Sequence, residues 1–124
     1  MDTKSVGEKL VALCKEGKNL EAVGTLYDND IVSVEAMGPP GMPLESQGID
    51  AVRGKNEWWL NAHEVHSGKA EGPFVNGDQF AVIYDYDVTA KEGAGARAGE
   101  RFQMKEVGVY TVANGKVVRE VFHY

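Results

Sequence analysis

The sequence predicts an α+β fold: a cone-shaped α+β barrel in which three helices from the first half of the chain pack on a strongly curved, mainly antiparallel sheet. Three observations lead to this prediction. Helical periodicity of apolar residues occurs in the first half of the chain, residues 78–91 alternate like a strand, and two extended runs flank an Asn-Gly pair near the C-terminus. The predicted order is helix, helix, strand, helix and then three long antiparallel strands.

Two helices open the chain. A cap on Thr3 or Ser5 starts the first helix, which runs to about Glu16, and Asn19 caps a short second helix that ends at Tyr27. In both segments apolar residues recur at three- and four-residue spacing, which is the pattern of a helix with one buried face.

A strand and a third helix follow. Residues 31–36 alternate in polarity, and the Pro- and Gly-rich residues 38–43 form a loop. The third helix runs from Ile49 or Asp50 to Ala62, and its buried stripe is Val52, Lys55, Trp59 and Ala62.

The second half of the chain is extended. Residues 64–75 are interrupted by two glycines, and residues 92–99 form a flexible loop. Residues 78–91 are the clearest strand, because large apolar side chains alternate with smaller or polar ones. Its predicted core face is Phe80, Val82, Tyr84, Tyr86 and Val88.

The C-terminal hairpin has two possible registers. A two-residue Asn114-Gly115 loop pairs Ala113 with Lys116 and mixes Arg119 and His123 into the face of Glu106 and Tyr110. A three-residue loop, 113–115, pairs Val112 with Lys116 instead. We favour the three-residue loop because it gathers the large apolar residues on one face, together with two carboxylates. That face is Met104, Glu106, Gly108, Tyr110, Val118, Glu120, Phe122 and Tyr124.

Composition limits the classes of protein to consider. The 124 residues fit one domain, 1–124, and 43% hydrophobic with 26% charged residues is a globular composition. A net charge of −6 with scattered basic residues predicts no nucleic-acid partner. No apolar run approaches the roughly 20 residues of a membrane span, and no secretory signal is visible, so we expect a cytoplasmic protein that does not bind membranes. The sequence shows no metal-ligand spacing and no phosphate-binding loop, so we expect neither a metal nor a cofactor.

Several segments carry a family resemblance. LYDNDIVSVEA, QGIDAVRGKNEWW and VYTVANGKVVREVFHY together resemble the SnoaL-like branch of the nuclear transport factor 2-like superfamily, the cystatin-like, ketosteroid isomerase-related fold. The resemblance covers nearly the whole chain. It is specific for the fold and weak for activity, because this fold hosts isomerases, cyclases, dehydratases, hydrolases and binding modules.

The resemblance implies one site residue directly. In the ketosteroid isomerase relatives a carboxylate on the first strand shuttles the proton, and Glu35 stands at the matching place. Those relatives also use a tyrosine on a helix and a protonated aspartate on the penultimate strand. Here the first helix has no tyrosine, and Gly108 stands near the aspartate position with Glu106 and Tyr110 two residues away.

Three glutamates are the candidates for acid–base chemistry. On an inward strand face Glu35, Glu106 and Glu120 lose solvation, which favours the neutral form and raises the pKa. The structural alternative is an ion pair with Arg53, Lys55 or Arg101. The histidines make a weaker case: His63 and His66 bracket the end of the third helix and can reach the cavity mouth, and His123 faces away.

Two functional hypotheses remain open. The first is a cofactor-independent isomerase or cyclase-like enzyme acting on a hydrophobic small molecule, with Glu35 as base and Tyr110, Glu106 or Glu120 as donor to an enolate oxygen. The second is a non-catalytic ligand-binding or interaction module. In both, aromatic and apolar side chains line the cavity: Tyr27, Trp59, Phe80, Tyr84, Tyr86, Met104 and Phe122.

The outer sheet face predicts a homodimer. The chosen register places an apolar set on that face with no partner in the chain, and such a patch usually marks an interface. Relatives with this fold commonly pair through the same face. The set is Val107, Val109, Thr111, Val117, Arg119 and Val121, with Ala81 and Ile83 from the neighbouring strand.

Overall fold

The structure, a computed structural model, describes residues 1–38 and 40–124, without the side chains of residues 95–97. Three helices precede most of the sheet. They are α1 (Thr3–Lys15), α2 (Asn19–Leu26) and α3 (Ile49–Ala62). The strands are β1 (Tyr27–Val34), β2 (Glu45–Gln47), β3 (His63–Asn76), β4 (Gln79–Ala90), β5 (Arg101–Ala113) and β6 (Lys116–His123), and a 3-10 helix spans Glu92–Arg97.

The predicted fold class is confirmed. The strands form one sheet in the order β2-β1-β6-β5-β4-β3, in which β1 and β6 are parallel and every other neighbouring pair is antiparallel. The sheet curls around the helices and keeps two free edges, β2 and β3, so it does not close into a barrel. Among the described residues, no helix is long and apolar enough to cross a membrane.

Several element boundaries differ from the prediction. The side chain of Asp2, and not Thr3 or Ser5, caps α1 by accepting a hydrogen bond from the Ser5 N–H at 2.8 Å. Lys18 occupies the N-cap position of α2, with Asn19 as its first helical residue. These positions are one residue outside the predicted ones, a shift that helix-capping patterns alone do not resolve.

The strands differ more, because their pairing is non-local. β1 starts at Tyr27, where a parallel contact with Val117 of β6 extends the strand through polar residues with low strand propensity. β2 is a three-residue strand that pairs with β1 and was not predicted. Residues 63–76 pair with β4 along almost their whole length, which makes four long antiparallel strands in place of three. The predicted loop 92–99 contains the 3-10 helix, and Pro39 of the predicted loop 38–43 lies outside the described residues.

The core lies between the helices and the inner face of the sheet. On β4 the predicted core face is confirmed, with Phe80, Val82, Tyr84 and Val88 buried and Tyr86 half-buried. Apolar side chains from all three helices cover this face. The main ones are Val6, Leu10, Val23, Leu26 and Val52.

The three-residue loop predicted for the C-terminal hairpin is wrong. Ala113 pairs with Lys116, and Asn114 and Gly115 both have positive φ, at 52° and 75°. Positive φ at both central residues defines the two-residue type I′ turn, whose twist matches the twist of the strands. The Asn-Gly pair is the sequence signal for this turn.

A β-bulge nevertheless keeps the predicted inner face. Val112 pairs with Val117 but Thr111 pairs with Arg119, so Val118 is an extra residue in β6. Beyond the bulge Tyr110 lies opposite Glu120, on the predicted face. The bulge also makes the prediction wrong at two residues. Val117 is buried in the core and not on the outer face, and Val118, predicted on the inner face, is only partly buried.

The turn supports a stability prediction. Replacing Gly115 with alanine forces a side chain into the left-handed region, and the added Cβ would lie 3.0 Å from the Met1 nitrogen. We expect Gly115→Ala to lower the free energy of unfolding by about 1–2 kcal/mol in urea denaturation. The matched control is Gly54→Ala in α3, where no atom lies near the added Cβ and stability should rise by about 0.5–1 kcal/mol. A Gly115→Ala protein as stable as the unmodified one would contradict the turn assignment.

Candidate functional site

A cavity of about 710 Å³ opens between the helices and the inner face of the sheet. Its lining combines a polar wall, built on the chain after β1, α3, β5 and β6, with an aromatic wall built on α3, β3, β4 and β5. Large exposed side chains stand at its mouth, where Met37 is 63% and Trp58 37% exposed. The volume matches that of pockets for small organic molecules, roughly 300–1,000 Å³.

The cavity brings together most of the predicted site residues. All four predicted acid–base residues line it: Glu35, Glu106, Tyr110 and Glu120. Six of the seven predicted ligand-contact residues also line it: Tyr27, Trp59, Tyr84, Tyr86, Met104 and Phe122. The seventh, Phe80, is not part of the lining. It is buried in the core, where its ring stacks on Tyr110 with 4.8 Å between centroids.

Glu35 is held in an ion pair. It follows the last residue of β1, and the Lys55 ammonium on α3 donates a hydrogen bond to its Oε2 at 3.0 Å. The hydroxyl of Tyr124 lies 3.3 Å from the other carboxylate oxygen. Both partners of the ion pair keep part of their side chains exposed, so the pair faces the cavity and is not sealed in the core.

Glu120 is buried and fully hydrogen-bonded. Only 1% of the residue is exposed, and its carboxyl accepts hydrogen bonds from the Ser33 hydroxyl at 2.8 Å and from the Tyr27 hydroxyl. Lys55 also donates to the Ser33 hydroxyl. The lysine is therefore bonded directly to Glu35 and, through Ser33, to Glu120. Burial raises the pKa of Glu120, and the hydrogen bonds from Tyr27 and Ser33 oppose that rise.

Glu106 differs from the other two glutamates. It lies on β5 opposite Tyr84 of β4, is half-buried, and makes no hydrogen bond or ion pair with any described residue. Burial, together with the charges of Glu35 and Glu120, raises the pKa of Glu106 to about 7, and the charge of Lys55 partly opposes that rise. Near neutral pH this carboxyl group is therefore present in both protonation states.

Two tyrosines form the floor of the cavity. The hydroxyls of Tyr84 and Tyr110 are hydrogen-bonded at 2.6 Å, and the Cys14 thiol lies 3.9 Å from the Tyr84 hydroxyl. The ring of Tyr110 lies across Gly108, where an added Cβ would be 2.8 Å from a ring carbon. The glycine at this position thus allows the ring to lie flat on the sheet and sets the depth of the cavity.

Lys55 and Ser33 bond to Glu35 and Glu120, and the sequence interpretation assigns neither of them to the site. The sequence interpretation gives Lys55 only the role of a possible ion-pair partner for a glutamate, and it gives Ser33 no role. A signal was present for both. Lys55 is the one charged residue in the otherwise apolar stripe of α3. Ser33 lies on the same side of the extended chain as Ile31 and Glu35. Within the described part of the chain, no group of three or more histidine, cysteine, aspartate or glutamate residues is arranged to hold a metal ion.

The raised pKa of Glu106 has a definite effect on stability. Glu106 has the ordinary glutamate pKa of 4.5 in the unfolded chain and a pKa of about 7 in the folded chain. Between these values the folded state holds more protons than the unfolded state, so the free energy of unfolding falls as the pH rises from about 4.5 through about 7. Above that range the ionised, half-buried carboxylate destabilises the fold by a constant amount.

We therefore expect Glu106→Gln to be more stable than the unmodified protein at about pH 8, by roughly 1–3 kcal/mol. The difference should disappear near pH 4, where both states of the unmodified protein are protonated at this residue. Urea denaturation at the two pH values measures it. Glu71→Gln, at an exposed position of β3, is the control and should show no such pH dependence. A Glu106→Gln protein that is no more stable at the higher pH would contradict the assignment.

Comparisons with known proteins identify the family to which the chain is similar. The sequence model of the SnoaL-like domain family matches residues 1–124. A solved structure from Mesorhizobium loti, provisionally described as a SnoaL-like polyketide cyclase, is 44% identical over 100% of both chains, with a TM-score of 0.90. No curated protein matches the chain.

More distant structures share the fold. A Bacillus subtilis protein, provisionally described as an isomerase, is 16% identical over 98% of this chain and 88% of that chain, with a TM-score of 0.75. A Catenulispora acidiphila protein with a ketosteroid isomerase-like fold, in complex with trimethylamine, is 20% identical over 98% of this chain and 86% of that chain, with a TM-score of 0.71. At these identities the likeness shows the fold alone. The match over residues 1–124 and the 44% identity together place the chain in the SnoaL-like domain family.

Proposed function

We propose that this protein is a cofactor-independent acid–base catalyst, an isomerase or cyclase-like enzyme acting on a hydrophobic small molecule that carries a carbonyl group. The single observation that carries the proposal is Glu106, a half-buried carboxyl group that faces the cavity without a partner among the described residues and has a pKa of about 7. Acid–base catalysts work best when their pKa lies near the operating pH.

The hydrogen bonds of the cavity favour Glu106 as the donor to substrate. Of the three candidate donors, Tyr110 shares a hydrogen bond with Tyr84 in which either hydroxyl can donate, and Glu120 accepts hydrogen bonds from Tyr27 and Ser33. Neutral Glu106 has a free O–H group. A carboxyl group kept neutral at physiological pH can stabilise an enolate by hydrogen bonding, as the protonated aspartate on the penultimate strand does in the ketosteroid isomerases. Glu106 also lies on the penultimate strand.

Glu35 is the proposed base. Its ion pair with Lys55 keeps a carboxylate at the cavity wall, and its other oxygen lies 3.3 Å from the hydroxyl of the exposed Tyr124. In the proposed step, a Glu35 oxygen takes a proton from the carbon next to the carbonyl, the C–H electron pair forms the enolate, and Glu106 donates a hydrogen bond to the enolate oxygen. Return of the proton to another carbon gives the isomer, and attack of the enolate carbon on a second carbonyl closes a ring.

The proposal can be tested without the natural substrate. β-Tetralone is an apolar bicyclic ketone with acidic protons next to the carbonyl, and the exchange of those protons for deuterium is followed by NMR. We expect the protein to accelerate the exchange and Glu35→Gln to reduce that acceleration by about 100-fold or more. The isosteric amide leaves a donor in place but cannot take the proton.

The control for this experiment is Glu71→Gln, which makes the same chemical change on an exposed surface of β3 and should retain the full exchange rate. Circular dichroism checks that Glu35→Gln is folded. Full exchange activity in a folded Glu35→Gln protein would exclude Glu35 as the base.

The alternative is a ligand-binding module without chemistry. The Lys55–Glu35 ion pair favours it, because a carboxylate neutralised by a lysine can serve simply to satisfy a polar wall. Trp59, Met104 and Phe122 form walls of the cavity and leave it open, which both functions require. Binding of β-tetralone with no acceleration of exchange would support the binding module.

We further propose that two copies pair through the outer sheet face. On this face Val109 lies opposite Val121, and Ile83 lies opposite Val107, with each of these side chains partly exposed. Charged pairs occupy one end of the face, where Lys105 lies 3.7 Å from Asp85 and Arg101 2.9 Å from Asp87. An apolar centre with a polar rim is typical of a protein interface.

The dimer is tested by Val109→Lys. A lysine at the centre of the apolar set should give a folded monomer, since two buried like charges would face each other across a two-fold axis. Light scattering at micromolar concentration measures the mass. Val75→Lys, on the exposed edge strand β3, is the control and should remain dimeric. A monomeric unmodified protein would exclude this interface.

A further inference from the structure

The end of the cavity remote from Glu106 contains a buried histidine. His63, the first residue of β3, lines the cavity and is 9% exposed. Its ring stacks on Trp59 with 4.5 Å between centroids and an angle of 21°, and meets Phe102 edge-on at 6.2 Å. These contacts fix the position and the plane of the imidazole.

One hydrogen bond fixes the tautomer of the neutral ring. The Nδ1 atom lies 2.9 Å from the backbone carbonyl oxygen of Trp59. A carbonyl oxygen can only accept, so Nδ1 must carry the hydrogen, and in the neutral ring Nε2 is then a hydrogen-bond acceptor. The α3 helix ends at the residue before His63, so a backbone carbonyl of its last turn is available for this bond.

The Nε2 atom has no partner within the described residues. Among the described residues, every fully buried side-chain nitrogen or oxygen has a hydrogen-bond partner. Because Nε2 has no such partner, it is not fully buried and must reach open space. Because His63 lines the cavity, we assign that open space to the cavity. An acceptor held rigidly in a mostly apolar surrounding favours a ligand group that can donate to it.

The position of His63 defines a second polar end of the cavity. Phe102, beside His63, and Glu106 both line the cavity on the same face of β5, and four residues of a strand span about 13 Å. Between these ends the wall is apolar and aromatic, formed by Trp59, Tyr86 and Met104. The cavity therefore has polar groups at two ends and flat apolar surfaces between them.

We propose that His63 recognises a hydroxyl group on the ligand, at the end of a flat apolar body opposite the carbonyl group that faces Glu35 and Glu106. The hydroxyl donates to Nε2, and the ring body packs on Trp59 and Tyr86. The orientation of the carbonyl rests on the proposed function, whereas recognition of the hydroxyl rests on His63 alone.

Three matched probes test this inference. They are an acetylnaphthol with its hydroxyl and acetyl groups at opposite ends of the naphthalene, its methyl ether, and the acetylnaphthalene that lacks the oxygen. The methyl ether can accept but cannot donate. Quenching of tryptophan fluorescence measures binding to the unmodified protein, and we expect the acetylnaphthol to bind about 3- to 10-fold more tightly than either analogue.

Two variants assign the preference to His63. His63→Phe keeps an aromatic ring against Trp59 and removes the acceptor, so it should bind the three probes equally and bind the methyl ether as the unmodified protein does. His63→Gln places an amide group near the position of Nε2 and should restore part of the preference. Circular dichroism confirms folding, and Glu71→Gln serves as the surface control.

Three results would overturn the inference. They are equal binding of the acetylnaphthol and its methyl ether to the unmodified protein, a preference that persists in a folded His63→Phe protein, and no binding of any probe at millimolar concentration. The exchange reaction is a separate measurement. A hydroxyl preference without acceleration of exchange would uphold the role of His63 while contradicting the proposed catalysis.

Discussion

The site depends on how the buried carboxyl group of Glu120 is compensated. Taking a carboxyl group out of water costs several kcal/mol unless hydrogen bonds replace the lost solvation. Here Tyr27 and Ser33 of β1 provide them across the parallel β1–β6 pair, and Lys55 of α3 donates to the same serine. One buried group thereby fixes two strands and a helix relative to one another, and the same lysine fixes Glu35.

The charges of the cavity explain why its glutamates differ. Glu35, Glu106 and Glu120 share one lysine among the described lining residues. Lys55 is in direct contact with Glu35 and with the serine that binds Glu120, whereas Glu106 faces the negative charge of both glutamates with no contact to the lysine. Glu106 thus has the fewest compensating contacts of the three, and its pKa of about 7 allows it to bind and release a proton near neutral pH. Its cost to stability is of the kind expected where function and stability conflict.

Local patterns predicted most of the fold. The alternation in β4 and the stripe of α3 depend on neighbouring residues, and both were read correctly. The bulge at Val118 could not be predicted, because it arises from how β5 and β6 pair over several residues and not from the Asn114-Gly115 turn itself. The resemblance of long segments to a known family located Glu35, and inward alternation located Glu106 and Glu120. The partners of these glutamates lie on other elements, and distances between elements are not encoded in local periodicity.

The side chain of Tyr124, the residue after β6, joins the end of that strand to Met37 at the mouth of the cavity. The Tyr124 hydroxyl donates to the Met37 carbonyl at 2.8 Å and lies 3.3 Å from the Met37 N–H, and Tyr124 itself is 44% exposed. The same hydroxyl lies 3.3 Å from Glu35, so one exposed side chain contacts both the mouth and the polar wall of the cavity. Any displacement of Tyr124 would therefore change the opening of the cavity at Met37 and the hydrogen bonding of Glu35 together.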